Sequence, residues 1–345
     1  MKHAQAFMPA SSAWLYTHAM ISFPAINIDT AVLGLGIDAG GTQTRWALAG
    51  ADGAIVADGA VEGLSALQMS SDAGRAAVHA TFAKLSQAVL AVGHPRAVVA
   101  GLTGFGGDDV TLAELLAELL ALDAVDVRLG NDIDIAYRDS FEPGEGYLVY
   151  AGTGSIAAWI DADGVFHRAG GRGVLLDDGG GGYWVAREAL RHIWRREDEA
   201  PGSWQASPMA EAVFAQLGGS DWSLSRAFMY GQDRGAIGRL ALAVAASADA
   251  DPLALDILQR AGQELARLAL ALVSRHGPRP VVLAGRAAQL HPAIASAMRA
   301  ALPVSLTMEQ KVARPHDAAA RIAVKAAVKT QANTEHFINP NMDIS

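Results

Sequence analysis

The sequence predicts an α/β fold made of two similar halves that face one cleft. Three observations carry this expectation. Strand-like apolar runs alternate with helix-period stretches, a strand–glycine turn–strand–Asp-Gly turn–strand unit occurs twice, and 345 residues is chain enough for two domains. The first copy is "VLGLGIDAGGTQTRWALAGADGAIVADG" at 32–59, with the glycine turn "DAGGT" at 38–42. The second is "GYLVYAGTGSIAAWIDADGVFHRAGG" at 146–171, with "AGTGS" at 151–155. The spacing from Gly40 to Gly53 differs by one residue from that between Gly152 and Gly164.

The remaining elements follow from periodicity. Helical spacing occupies 73–93, and "RAVVAGLTGFGGDD" (96–109) is a buried strand ending in a glycine loop before the helix "VTLAELLAELLAL" (110–122). "VDVRLGNDIDIAYRD" (125–139) is a strand that delivers Asn131 and Asp132 to the head of a short helix. After the second repeat, "GGGGYWVAREALRHIWRRE" (179–197) opens a long helical region reaching Arg275. The strand "PVVLAG" (280–285), the helix "DAAARIAVKAAVK" (317–329) and a polar tail at 330–345 complete the chain. Residues 1–30 read as a disordered extension, because His18 and Pro24 interrupt any signal-peptide core. The expected domains are 31–135, joined by the helix at 317–329, and 136–316 with a helical insert.

Composition excludes several classes. The net charge is −9 with no long Lys/Arg run, which argues against nucleic acid or an anionic membrane as partner. Cysteine is absent, so disulfides, thiolate metal sites, a cysteine nucleophile and cysteine-ligated iron–sulfur clusters are excluded. No apolar run approaches the ~20 residues of a membrane span, and the expected location is the cytoplasm. The ten histidines lack metal-ligand spacing.

A glycine turn after a strand suggests phosphate. A P-loop is ruled out because no Gly-Lys pair occurs, and a dinucleotide fingerprint because "TRWALA" after the first turn has strand rather than helix period. A glycine turn inside a hairpin instead offers backbone N–H groups from both flanks as an anion nest. Two such hairpins facing each other would grip a triphosphate through Gly40, Gly41, Gly152 and Gly154, with hydroxyls from Thr42, Thr44, Thr153 and Ser155. Asp38 beside them would order Mg²⁺ through water. Asp132 is the candidate base for a hydroxyl acceptor, the alternative being a helix cap made by Asn131 or Asp132. Asp134 is a weaker candidate.

At this point the chain resembles the sugar kinase–Hsp70–actin superfamily and, more narrowly, the group of N-acetylglucosamine kinases and BadF/BadG-type ATPases. The resemblance covers about 33–329. "GIDAGGTQT" is similar to the family's first phosphate motif, "YAGTGS" to its second, "VVLAGRAAQL" (281–290) to its adenosine motif, and "GGRGVLLDDGGGGYWVAREAL" (170–190) to its Gly-Gly-Trp-Gly segment. It implies two ribonuclease-H-like domains around an interdomain nucleotide cleft, ATP and Mg²⁺ as cofactors, a small sugar as substrate, and a homodimer. It also implies Asp132 as the catalytic residue, Gly285 beside the nucleoside, and Ser65, Asn131, Gly171, Arg172 and Asp178 around the sugar. The glycines at 179–182 are expected to expose backbone donors to a ligand, and Tyr183 and Trp184 to pack in the core.

Four departures bear on the substrate. Arg172 replaces the family's tryptophan, Leu67 its sugar-binding asparagine, Gly179 a glutamate, and Arg286 a glycine of the adenosine motif. Arg172 is either a donor fork for an acidic sugar such as N-acetylmuramate or the ion-pair partner of Asp177. The expected activity is ATP-dependent phosphorylation of an amino sugar, at O6 of N-acetylglucosamine or glucosamine. The alternatives are an acidic amino-sugar kinase, a BadF-type ATPase without kinase activity, a non-catalytic sugar sensor and an ATP-gated binding protein. The absence of cysteine counts against an iron–sulfur activator ATPase.

Overall fold

The computed structural model describes residues 32–106 and 110–338, with side chains described as far as 331. The expected extension at 1–30 lies outside the described residues. Two five-stranded sheets form the frame. The first is assembled from β1 (Gly34–Ala39), β2 (Gln43–Ala49), β3 (Ile55–Glu62), β4 (Ala97–Leu102) and β5 (Val127–Asn131), in the order β3-β2-β1-β4-β5. The second contains β6 (Tyr147–Ala151), β7 (Ser155–Ile160), β8 (Phe166–Gly170), β9 (Val281–Ala284) and β10 (Met308–Gln310), in the order β10-β9-β6-β7-β8. In both, the three repeat strands are antiparallel and two later strands add in parallel beside the first of them. The topology is duplicated along with the sequence.

The Asp-Gly turns close as side-chain-assisted hairpins. Asp52 accepts from the Ala54 N–H at 2.9 Å beside Gly53 (φ +79°), and Asp161 accepts from the Asp163 and Val165 N–H groups beside Gly164 (φ +83°).

Helices α1 (Asp72–Leu90) and α2 (Val110–Leu120) cover one face of the first sheet, burying Phe82, Leu85, Leu112 and Leu116 against Leu35, Ile37 and Trp46. The short helix α3 (Asp132–Arg138) starts directly at the end of β5. The second lobe carries the helical insert: α4 (Gly182–Glu199), α5 (Pro208–Leu217), α6 (Trp222–Gly231), α7 (Arg234–Gly238), α8 (Ala241–Ser247) and α9 (Pro252–His276). Then α10 (Pro292–Ala301) packs on α9, and Gly262 lets their backbones approach, since a Cβ there would overlap the Ile294 carbonyl.

Helix α11 (Pro315–Ile338) crosses back and lies on the first sheet. Gly34 and Gly36 of β1 permit this, because a Cβ at either would overlap its backbone at Val324, His316 or Ala320. The helix runs nine residues beyond Lys329, where the sequence pattern suggested a polar tail. The last turns are continued by a helix whose earlier, buried part is already anchored. Among the described residues no helix is long and apolar enough to cross a membrane.

Candidate functional site

The two glycine turns border the same short helix. A Cβ at Gly235 of α7 would lie 3.1 Å from Thr42 Oγ1 in the first turn, and one at Gly238 would lie 3.4 Å from Thr153 Cγ2 in the second. The hairpins therefore converge on one cleft between the lobes, although more than a hundred residues separate them in sequence. In the first, the Gly40 N–H closes on the Gln43 carbonyl at 3.2 Å, leaving Gly41 and Thr42 exposed at the tip.

Asp38 is the penultimate residue of β1, and Asp132 opens α3 two strands away. Burial, reinforced by the charge of Asp132, pushes the Asp38 carboxyl up to about 6, against the pull of Arg45 and Arg286. No side-chain hydrogen bond engages Asp38 among the described residues. A buried carboxyl without a hydrogen-bond partner, beside a second carboxylate, is a place where a cation would be stabilised. No cluster of three or more acidic or histidine ligands forms a cage among the described residues. Mg²⁺ normally keeps several waters and is held by one or two carboxylates plus substrate phosphates, so Asp38 fits such an ion.

Asp132 is held from two sides. Thr103 Oγ1 donates to its Oδ2 at 2.5 Å and the Ile133 N–H donates to Oδ1 at 2.9 Å. Burial raises its carboxyl above the ordinary value in spite of these bonds and of the nearby Arg234 charge. Asn131 is the N-cap of α3, its Oδ1 accepting from Ile133 N–H at 2.9 Å. The Ile133 N–H is thus shared between the Asn131 cap and Asp132 Oδ1, while Asp132 Oδ2 is held by Thr103. Asp134 pairs with Arg138 one turn on, away from this cluster.

Ser65 caps the 3-10 turn at Ala66–Ser70 and donates to the Thr103 carbonyl at 2.9 Å, so it supports the same threonine that orients Asp132. Tyr150 of β6 reaches across from the second lobe. Burial and then the charges of Asp38 and Asp132 raise its phenol well above the ordinary value.

Asp178 sits at φ +53°, buried, with Oδ1 accepting from the Gly173 N–H at 3.0 Å and a further bond from the Arg172 N–H. Burial raises its carboxyl against those bonds. A side chain on Gly154 would overlap the Asp178 carboxylate, so the second glycine turn and this aspartate are in contact. Gly171 (φ +62°) donates to the Ser155 carbonyl at 3.0 Å and fixes the turn that carries Arg172.

Several sequence expectations are corrected. Thr44 is fully buried beneath its hairpin with its hydroxyl unpartnered, and is not presented to the cleft. Ser155 is also buried, its hydroxyl donating to the Gly179 carbonyl at 2.7 Å. The glycines at 179–182 are buried at the start of α4 rather than open to a ligand, and the Gly182 and Tyr183 N–H groups are bonded to the Gly152 and Thr153 carbonyls at 2.9 and 3.0 Å. Their smallness serves packing, since a Cβ at Gly181 would press on Gly154 at 2.7 Å. Gly285 is not among the corrected residues: its φ of +99° and its packing against the Ala151 backbone at the foot of the second hairpin leave no room for a side chain. Asp177 pairs with Arg267 at 3.1 Å, and the Arg172 side chain is exposed with no ion-pair partner among the described residues.

Thr103, Tyr150 and Arg234 were missed by sequence reasoning. A signal existed for Tyr150: superposing the two repeats sets it where Asp38 stands, one residue before the end of the first repeat strand. Arg234 lies in an insert with no motif.

Comparison with known proteins follows the same line. A 177-residue segment is 27% identical to the N-acetyl-D-glucosamine kinase of Dictyostelium discoideum, covering 48% of this chain and 55% of that protein. The chain thus spans about half the length of the curated relative it matches. A Chromobacterium violaceum protein provisionally assigned as an N-acetylglucosamine kinase is similar in structure at TM-score 0.61 and 25% identity, covering 85% of this chain and 99% of that one. The fold is shared with a ROK family glucokinase from Streptomyces griseus, solved with glucose and AMPPNP, at TM-score 0.57 and 18% identity over 86% of this chain and 99% of that one. The family profile that matches residues 35–327 takes in both lobes, both glycine turns and the aspartates between them, and the chain belongs to the BadF/BadG/BcrA/BcrD ATPase family.

Proposed function

We propose that this protein is an ATP-dependent sugar kinase that transfers the γ-phosphoryl group to a hydroxyl, at O6, of an amino sugar such as N-acetylglucosamine or glucosamine. The observation that carries the reading is the convergence of both glycine turns on α7, with Asp38 and Asp132 in the same cleft. The exposed backbone at Gly41 and Thr42, in the turn that Gly40 closes, with Gly152, Thr153 and Gly154 opposite, suits a nucleotide's phosphates. When bound, Mg²⁺ supplies charge neutralisation between the phosphates, and Asp38 would hold it through water.

Asp132 takes the acceptor hydroxyl's proton as its oxygen attacks the γ-phosphorus and the bond to the β-phosphate oxygen breaks. Burial equips it for this, since a carboxylate with raised proton affinity is a stronger base, and proton transfer of this kind is worth about 10²–10⁴ in rate. The Thr103 hydroxyl holds its other oxygen in place. Asp178, fixed by the Arg172–Gly173 backbone, orients the sugar beside Gly171. Closure of the lobes excludes water and limits hydrolysis. The protein is proposed to work in the cytoplasm as a homodimer.

Arg172 favours a second reading, in which the acceptor carries a carboxylate as N-acetylmuramate does. With Asp177 engaged by Arg267, its guanidinium is available to such a group. A panel of neutral and acidic amino sugars with ATP and Mg²⁺, read by coupled ADP release, tests both. Asp132→Asn is expected to bind ATP normally and lose sugar phosphorylation by at least about 10²-fold. Hydrolysis indifferent to every sugar would overturn the kinase in favour of a simple ATPase, and equal loss on neutral and acidic sugars in Arg172→Ala would remove the carboxylate role.

A further inference from the structure

Helix α7 is a short element that touches both glycine turns, and its first residue is a cation. Arg234 is exposed and has no ion-pair or hydrogen-bond partner among the described residues, although Asp233 before it is spent capping the helix through the Ala236 N–H at 2.8 Å. Gly235 next to it packs on the Thr42 hydroxyl at the tip of the first turn. The charge of Arg234 also reaches both Asp132 in the first lobe and Asp178 in the second, lowering the proton affinity of each. Helix α7 thus sets an unpaired arginine beside the tip of the first turn, in the cleft that also holds the proposed base and the proposed sugar-orienting carboxylate.

We infer that Arg234 is a catalytic residue whose guanidinium binds the γ-phosphoryl group during its passage from the nucleotide to the acceptor hydroxyl. The inference rests on the phosphotransferase reading of the cleft. In the balanced step the acceptor oxygen forms its bond to the γ-phosphorus and gives its proton to Asp132, the bond to the bridging oxygen breaks, and ADP leaves with those electrons. Charge spreads over the three equatorial oxygens of the moving group, where a planar donor fork can meet two of them at once. Asp132 and Asp178 are negative, and without a cation between them they would repel that group.

The test compares wild type, Arg234→Ala and Arg234→Lys in sugar-dependent ADP release and in sugar-free ATP hydrolysis, together with binding of ADP with aluminium fluoride as a mimic of the moving phosphoryl. Thermal unfolding checks that the variants fold. Arg234→Ala is expected to lose about 10²–10³-fold in kcat with little change in KM for ATP. Arg234→Lys should fall between, free guanidinium should restore part of the alanine variant's rate, and aluminium fluoride should no longer tighten ADP binding. An unchanged kcat, or a loss confined to KM for an acidic sugar, overturns the inference. If wild type shows no sugar-dependent turnover but Arg234→Ala still loses hydrolysis and the fluoride complex, the kinase reading fails while the role of Arg234 stands. If Arg234→Ala does not fold, wild-type turnover in Arg234→Lys would overturn the proposal by itself.

Discussion

The Thr103 hydroxyl reaches Asp132 across 29 residues of sequence because β4 and β5 lie parallel in a register that sets Leu102 opposite Asn131. Its hydrogen bond favours the ionised carboxylate, against the burial that disfavours it. Removing the donor while keeping the shape, in Thr103→Val, should raise the Asp132 pKa further. In the pH profile of kcat/KM the acidic limb should then move to higher pH, because the base stays protonated over a wider range. The rate on the plateau should fall by about tenfold from lost orientation. An unshifted limb would separate Thr103 from the base. The residue scale is also where sequence reasoning is least secure. Asp38 and Asp132 were legible by their places at the ends of apolar strands near the glycine turns, and Asp178 by the family resemblance. Thr44 and Ser155 were not, since a hydroxyl in a hairpin looks the same whether it faces a ligand or, as with Ser155, the Gly179 carbonyl behind it.

One carboxylate at the element scale closes two helices. Asp251 caps α9 through the Leu253 N–H at 3.0 Å and the Ala254 N–H at 3.4 Å, while its other oxygen accepts from Ser207 Oγ at 2.6 Å and the Met209 N–H at 3.1 Å at the start of α5. Burial alone would raise its carboxyl, but these bonds outweigh it and hold the carboxyl below its ordinary 3.8. Asp251→Ala should cost about 3 kcal/mol by leaving buried donors unpaired, and Asp251→Asn less. The sign of the pH dependence follows from the lowered pKa. The contribution is present above pH 3.8 and is lost as pH falls through the folded-state value, so the stability gap between wild type and Asp251→Ala should narrow below about pH 4 in thermal unfolding. A gap independent of pH would mean the carboxylate's charge contributes nothing. The strands and helices were mostly legible from period and turn chemistry, and the duplication gave the sheets their matching order. The start of α4 was not legible. Four glycines read as open donors in isolation, yet they are buried, the Gly182 and Tyr183 N–H groups bonding to the second hairpin some thirty residues earlier and the Gly181 N–H to the Asp178 carbonyl.

Over the whole molecule the chain passes between lobes twice, after α3 and again before α11, and both passages are tied at one point. Lys311 and the Arg314 N–H meet the Asp139 carboxylate at 3.2 Å each, while Arg314 also pairs with Asp58 on β3. A cleft flanked by two rigid sheets and joined at such a corner can open and close without unfolding either half. Because α11 returns, the first lobe is not a contiguous stretch of sequence. Among the described residues ten apolar ones, including Ala47, Ala49, Val99, Ile135, Ala320 and Val324, are buried between the first sheet, α3 and α11. At roughly 0.8 kcal/mol per methyl-sized group this face approaches the ~5–15 kcal/mol that holds a typical domain together. Residues 32–145 expressed alone should therefore give a collapsed chain without cooperative unfolding or near-ultraviolet dichroism. The same segment joined by a flexible linker to 312–338 should unfold cooperatively. Gly36→Val in that joined form should abolish the transition, because its side chain would meet the α11 backbone. Cooperative unfolding of 32–145 without the helix would show that the core under α1 and α2 suffices to hold the first sheet, and that the returning helix serves only to couple the lobes.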